Sequence, residues 1–184
     1  MRPVCLPMPS GGLITLNKTN SNESEIKLKS LRWCGISNRK DAYYDVDEIG
    51  WNYYMNEFSA AIGLEQLKKL ESMNKRRKDI AKMYYRGIEL DEKMPISNNS
   101  SYHLYWIRTK KRTKFIKFMN EHKIEVGVHY RPVHLMSAYS SAVSLPVTES
   151  IWPEIVSIPM HVNLIDSQVK FIIEKINEFK NKTG

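Results

Sequence analysis

The sequence lacks the features of disulfide-stabilised, membrane-spanning and secreted proteins. Its 184 residues include only two cysteines, Cys5 and Cys34, which provide neither a disulfide framework nor a metal-ligand spacing. No apolar run approaches the ~20 residues that a membrane span requires. The first nine residues contain one basic residue and three prolines, unlike a secretory signal. We therefore predict a cytoplasmic protein with reduced thiols and no membrane partner.

The overall composition is that of a folded protein. Hydrophobic residues make up 42% of the chain and charged residues 26%, an ordinary globular balance. The length suits one domain with a sizeable core, or a small domain with part of another. The net charge of +8 is compatible with nucleic acid, an anionic surface or a phosphate-bearing substrate. No nucleic-acid-binding signature is present, so we do not expect nucleic acid as a partner.

Hydrophobic periodicity predicts the elements of the first half of the chain. A long helix is predicted from Asn56, the N-cap, to Tyr85. Its apolar residues between 58 and 83 are predicted to be core, and its basic run at residues 75–78 a solvated face. The remaining predictions are a short strand over residues 11–16, a short helix over 25–33 and an exposed loop over 35–50.

A turn-rich break around residues 95–101 precedes a change in the pattern of apolar and aromatic residues. We predict strands over 102–108, 124–130 and 155–158, and helices over 112–122 and 166–179, the last with Asp166 as N-cap. This order predicts an α+β layer with helices on one face of a small sheet. The predicted domains are 1–55, 56–95 and 96–184.

The residues alone indicate no catalytic site. His129 and His134 are five residues apart, but Pro132 argues against a helix that would aim both rings at one metal ion. Metalloprotease, phosphate-loop, dinucleotide and serine-hydrolase motifs are all lacking. From physical reasoning alone, the chain is an α+β domain with a long helix, without a predicted metal.

Three stretches in this order resemble the DegT/DnrJ/StrS sugar aminotransferases: residues 51–67, 128–134 and 145–149. Gly11-Gly12, Leu31-Arg32 with Gly35, and residues 101–104 and 156–161 are also similar to that family. The resemblance covers about residues 11–180. Each motif is weak by itself, but together and in order they are specific.

The resemblance implies the C-terminal part of an aspartate-aminotransferase-type α/β fold, with a long interface helix and a small antiparallel sheet. It also implies a homodimer whose active sites lie at the subunit interface. The implied reaction transfers an amino group from glutamate to the keto group of a nucleotide-linked sugar. The implied cofactor is pyridoxal phosphate, held by a lysine.

The sequence departs from the family before the glycine pair. The family's cofactor lysine lies a few residues before the glycines that match Gly11 and Gly12, yet residues 3–10 contain no lysine. We therefore expect the C-terminal half of a truncated or split member, with no catalytic residue of its own. Its partner would be a second copy or a complementing N-terminal half. The alternatives are a non-catalytic dimerisation or binding module and an autonomous enzyme with a displaced lysine.

Five residues are binding candidates through the resemblance. Asn52 matches the asparagine of a loop that reaches the neighbouring subunit's cofactor phosphate, and Tyr54 stands where many members carry arginine. The alternative role of Asn52 is to cap its own loop. His129, Tyr130 and His134 match a segment near the sugar pocket, and their alternative role is packing at a strand end.

Overall fold

The computed structural model describes residues 11, 12, 14, 16, 21–139 and 143–183. The chain divides into two compact units, Met1–Lys68 and Lys69–Gly184. The strand predicted over residues 11–16 includes Leu13 and Thr15, which lie outside the described residues, and the other four positions carry no strand. The predicted division into three domains stays a prediction.

The first unit contains a helix, a hairpin and the start of a second helix. Helix α1 spans Ser21–Arg32, strands β1 and β2 span Ile36–Lys40 and Tyr43–Val46, and helix α2 spans Glu57–Gly87. The helix predicted over residues 25–33 is therefore confirmed, with an earlier start.

The loop predicted over residues 35–50 is wrong, because β1 and β2 pair as an antiparallel hairpin. The turn between the strands places Asp41 at a φ of +48°, a conformation that aspartate tolerates better than most residues. Gly35 has a φ of +77°, and a Cβ there would lie 1.8 Å from the carbonyl oxygen of Glu48. Only glycine therefore fits where the chain enters the hairpin.

Helix α2 begins as predicted, because the backbone N–H of Ser59 donates to Oδ1 of Asn56 at 2.8 Å. Its predicted core stripe is only half correct. Ile80 is fully buried, whereas Phe58 is 84% exposed and Leu67 is also exposed. Burial of the stripe is thus confined to the later turns of the helix.

The second unit is built around a small antiparallel sheet. Its strands are β3 (Tyr105–Arg108) and β4 (Ile155–Ile158), and its helices are α3 (Arg112–Glu121), α4 (Pro146–Ile151) and α5 (Asp166–Thr183). Single bridges join Lys93 to Ile107 on β3 and Gly127 to Ser157 on β4. The strand predicted over 124–130 is wrong, since its pairing is limited to the Gly127 bridge. The strand predicted over 102–108 forms only from Tyr105.

Helices α3 and α5 supply much of the core of this unit. Phe115 on α3 is fully buried and meets the ring of Phe179 on α5 edge-on at 5.2 Å. Val169, Ile172 and Ile176 of α5 are also buried, which confirms the predicted apolar stripe. Asp166 is the first helical residue rather than the N-cap, a difference of one position. The predicted α+β fold is confirmed.

The basic run of α2 is not the solvated face that we predicted. Arg77 is only 4% exposed, and its guanidinium donates to Oδ1 of Asn74 at 3.0 Å. Arg76 bonds the carbonyl of Leu164 and pairs with Asp166 at 2.8 Å. The long apolar stems and planar donors of arginine suit it to such partly buried positions. None of the helices in the described ranges has the length and apolarity of a membrane crossing.

Candidate functional site

The loop between β2 and α2 is fixed against the end of α1 by backbone hydrogen bonds. The N–H groups of Trp51 and Tyr53 donate to the carbonyls of Leu31 and Arg32, each at 2.9 Å. Asn52 forms an antiparallel bridge with Trp33. The exposed loop carrying both cofactor candidates is therefore anchored to the C-terminal turn of a helix.

Asn52 has the loop-capping role that was the alternative to phosphate binding. Its Oδ1 accepts a hydrogen bond from the backbone N–H of Tyr54 at 3.3 Å, as in an Asx turn. That contact uses the amide oxygen, and the amide nitrogen retains two N–H donors. Asn52 is exposed, so capping and donation to an anion are compatible.

The ring of Tyr54 contacts the cationic side chain of Arg32. The guanidinium carbon of Arg32 lies 5.3 Å from the centre of the Tyr54 ring, a cation–π distance. Residues 51–56 contain no basic side chain. The amide donors of Asn52 and the nearby guanidinium are suited to a phosphate group, which arginine binds with paired N–H donors. The residues of this unit therefore fit the phosphate end of the implied cofactor.

His129 and Tyr130 lie together in the second unit, with ring centres 4.8 Å apart and planes at 81°. Nδ1 of His129 is buried and has no hydrogen-bond partner among the described residues, while Tyr130 is half exposed. His129 lines a cleft of about 710 Å³. The other polar residues that line the cleft are His122, Lys123, Glu125, Ser157, His161 and Gln168.

The absence of a side chain at Gly127 leaves room for the ring of His129. A Cβ at residue 127 would lie 2.5 Å from Cε1 of that imidazole, far inside van der Waals contact. Two hydrogen bonds fix the backbone of Gly127 on β4: its N–H donates to the Ser157 carbonyl at 2.9 Å, and its carbonyl accepts at 2.7 Å. The His129 ring thus lies directly against the backbone of Gly127, which pairs with β4.

His134 occupies a different cleft from His129. This second cleft, of about 430 Å³, is lined by apolar groups that include Val133, Tyr139 and Leu145. Nε2 of His134 lies 3.1 Å from Oε1 of Glu149, which also accepts from the backbone N–H of Leu145 at 2.8 Å. The Leu145 hydrogen bond, followed by the one to His134, holds the pKa of the Glu149 carboxyl below its usual range.

His103 belongs to the motif segment of residues 101–104 and is a neighbour of His129 that was not predicted as a binding residue. Partial burial, followed by the charges of Arg77 and His129, lowers the pKa of the His103 imidazole. The neutral ring is therefore favoured, in agreement with the usual effects of desolvation and like charge.

The structure thus places the five candidates in three separate sites, one in the first unit and two in the second. Asn52 and Tyr54 share a loop in the first unit, and His129 and Tyr130 are in contact in the second, where His134 lies in its own cleft. Sequence reasoning missed Arg32, Glu149 and His103 as neighbours of these residues. All three belong to motif segments, but no local pattern distinguishes them from ordinary polar residues.

The order of the motif stretches along the chain and the α+β fold define a class of protein. The model of the DegT/DnrJ/EryC1/StrS aminotransferase family matches residues 6–177. The chain belongs to this family, which confirms the resemblance.

Individual relatives are similar along nearly the whole chain. The dTDP-3-amino-3,6-dideoxy-alpha-D-galactopyranose transaminase of Aneurinibacillus thermoaerophilus is 30% identical over 92% of this chain and 47% of its own length. PseC of Helicobacter pylori, an aminotransferase involved in the biosynthesis of pseudoaminic acid, is 26% identical with a TM-score of 0.79, covering 89% of this chain and 48% of PseC.

A third comparison concerns the cofactor. The PLP form of Spr1654 from Streptococcus pneumoniae, a proposed sugar aminotransferase, is 25% identical with a TM-score of 0.78, covering 91% of this chain and 46% of that protein. The chain spans about half the length of the curated relatives it matches.

Proposed function

We propose that this chain forms part of a pyridoxal-phosphate-dependent nucleotide-sugar aminotransferase, which moves an amino group from glutamate to a keto sugar. The observation that carries the proposal is the family match over residues 6–177. Relatives named as transaminases of nucleotide-linked sugars support this substrate class. The cytoplasmic location stays a prediction from the sequence.

In this proposal the chain contributes binding groups, and the cofactor lysine comes from polypeptide outside residues 11–180. The other polypeptide would be the remaining half of the family's length, in the same subunit or as a separate chain, and the assembly would be a dimer. Pyridoxal phosphate, when bound, supplies the electron sink for amino transfer. Asn52 would donate its amide N–H to the phosphate group, with Tyr54 beside it.

The second unit would hold the sugar nucleotide. His129, Tyr130 and His134 offer ring faces, N–H donors and a phenolic hydroxyl, which are groups that bind hydroxylated rings and phosphates. Glu149 would hold His134 in position through its contact at 3.1 Å. A carboxylate so placed keeps the other imidazole nitrogen, Nδ1, available for a ligand.

The second candidate function is a non-catalytic dimerisation or binding module. The observation that favours it is the exposure of large apolar side chains in the first unit, where Ile49 is 90% exposed and Trp51 66%. Clusters of exposed apolar groups are typical of surfaces that another polypeptide covers. Both functions need such a partner, but only the first needs the cofactor.

Covalent trapping of the cofactor tests the proposal. The purified chain is incubated with pyridoxal phosphate, reduced with borohydride and mapped by mass spectrometry. We expect scattered, substoichiometric labelling of the chain alone. When the chain is coexpressed with a polypeptide that carries the family's other half, we expect one stoichiometric lysine on that polypeptide and glutamate-dependent formation of 2-oxoglutarate.

Two different results would contradict the proposed function. A single stoichiometric lysine on this chain alone would show an autonomous site and would contradict the division of roles. A stable complex that neither retains the cofactor nor consumes glutamate would support the non-catalytic module instead.

A further inference from the structure

We propose that Arg32 supplies the positive charge for phosphate binding by the loop of residues 51–56. The proposal rests on the proposed function, since it assigns a further binding residue to the same cofactor segment. It starts from the sequence of the loop, Trp-Asn-Tyr-Tyr-Met-Asn, which has no basic side chain. A phosphate monoester near neutral pH carries a charge of about −1.5 to −2, which one neutral amide balances poorly.

The backbone places Arg32 beside this loop. The carbonyl of Arg32 accepts the N–H of Tyr53 at 2.9 Å, and the adjacent residue, Trp33, bridges Asn52. Arg32 is also the last residue of α1. Its Cα therefore cannot drift from the loop without breaking the pairing that anchors the loop.

The side chain of Arg32 is oriented by Tyr54. Its guanidinium carbon lies 5.3 Å from the centre of the Tyr54 ring, so the ring fixes one face of the group. Stacking uses the face of a guanidinium and leaves the N–H donors at its edge. Those donors are the groups that bind two phosphate oxygens at once.

A second arginine in the same unit provides a matched control. The guanidinium carbon of Arg39 lies 5.0 Å from the centre of the Trp33 ring. Arg39 is on strand β1 and resembles Arg32 in charge and in stacking. None of the backbone hydrogen bonds and bridges described above for the loop of residues 51–56 involves Arg39. Replacing Arg32 or Arg39 with a neutral residue changes the net charge by the same amount. A difference in phosphate binding between the two variants therefore reports a local role.

The experiment is a titration of the full chain with pyridoxamine 5′-phosphate, followed by NMR at the backbone amides of residues 52–54. This probe carries the cofactor's phosphate group but has no aldehyde to react with lysine. Pyridoxamine, which lacks the phosphate, and the nucleoside diphosphate dTDP are titrated in parallel. We expect the phosphate ester to shift these amides, and pyridoxamine to leave them unchanged.

The variants decide whether Arg32 is the charge. We expect Arg32→Gln to weaken binding about fivefold or more, as loss of a charge-assisted pair should, and Arg32→Lys to restore part of it. Arg39→Gln should weaken binding less than about twofold, the effect of an exposed, salt-screened charge that takes no part in the pairing of the loop. Folding of each variant is checked by the pattern of amide shifts outside the loop.

Three outcomes would overturn the inference. Equal weakening by Arg32→Gln and Arg39→Gln would indicate unspecific attraction, and tighter binding of dTDP would assign the loop to a diphosphate rather than a phosphate ester. Both leave the aminotransferase proposal standing. Failure of the wild-type chain to bind the phosphate ester at all would remove Arg32 and the cofactor role of the loop together.

Discussion

Replacing Gly127 with alanine should displace the imidazole of His129 from the cleft. The added methyl would lie 2.5 Å from Cε1 and 3.2 Å from Nδ1 of the ring, whereas ordinary carbon contacts are about 3.5–4.0 Å. The backbone cannot yield easily, because two hydrogen bonds tie residue 127 to Ser157. The ring must therefore move by about 1 Å or leave its position.

The magnitude follows from two opposing effects. Overpacking of this kind costs about 1–3 kcal/mol. The residue adopts no left-handed backbone conformation, so alanine also lowers the entropy of the unfolded chain and regains about 0.4–1 kcal/mol. We expect Gly127→Ala to lower the free energy of unfolding by about 1–2 kcal/mol. In a His129→Ala background only the entropic gain remains, so the same change should be neutral or slightly stabilising.

Urea unfolding of the wild type, both single variants and the double variant completes the cycle. NMR of the imidazole resonances then reports whether the ring of His129 has moved. A destabilisation that is the same in both backgrounds, with an unchanged His129 spectrum, would refute the steric argument. It would show that the cost lies in the Gly127 backbone rather than in the ring.

Three further changes test the core and one titrating group. Tyr84→Phe should cost about 1 kcal/mol in urea unfolding, because the buried hydroxyl donates to the Pro159 carbonyl at 2.7 Å. Phe115→Ala should cost about 3–5 kcal/mol, since it removes a fully buried ring that packs on Phe179; a loss below about 1 kcal/mol would contradict that packing. The depressed pKa of His103 should make the wild type lose melting temperature faster than His103→Gln as the pH falls below about 6.5, because the unfolded chain binds that proton more strongly. If the melting temperatures of the wild type and His103→Gln fall equally with pH, this prediction is refuted.

The predictions of secondary structure succeeded where one face of an element is buried. The apolar residues of α5 recur at helical spacing and are buried, so periodicity and packing agree there. The hairpin at 36–46 was missed because its side chains are mostly exposed on both faces, and no alternation of polar and apolar residues marks its strands. Its formation depends on turn conformations at Gly35 and Asp41 instead.

The apparent strand at 124–130 failed for a different reason. Ile124, Val126 and Val128 alternate as in a strand, and Ile124 is buried, yet only Gly127 bridges β4. Alternation reports which side chains contact the core, and a chain that runs across a sheet edge satisfies it without a ladder of hydrogen bonds. Sequence pattern alone does not separate the two cases.

The candidate binding residues depended on the family resemblance, and their neighbours depended on the structure. Nothing in the spacing of Arg32 and Tyr54, 22 positions apart, indicates that a guanidinium lies over that ring. The same holds for His134 and Glu149, which are 15 positions apart and meet at 3.1 Å. Long-range contacts of polar residues follow from topology, which local periodicity does not specify.

The exposed stripe of α2 connects these observations to the proposed function. Phe58, Ile62 and Leu67 recur near helical spacing and would normally form the buried face of a helix, but all three are exposed. Later in the same helix, Ile80 and Tyr84 show the same pattern and are buried. Since one pattern has two outcomes within one helix, the difference lies in what covers each part. Under the proposed function, the partner polypeptide would cover the first turns of α2 and bury this stripe.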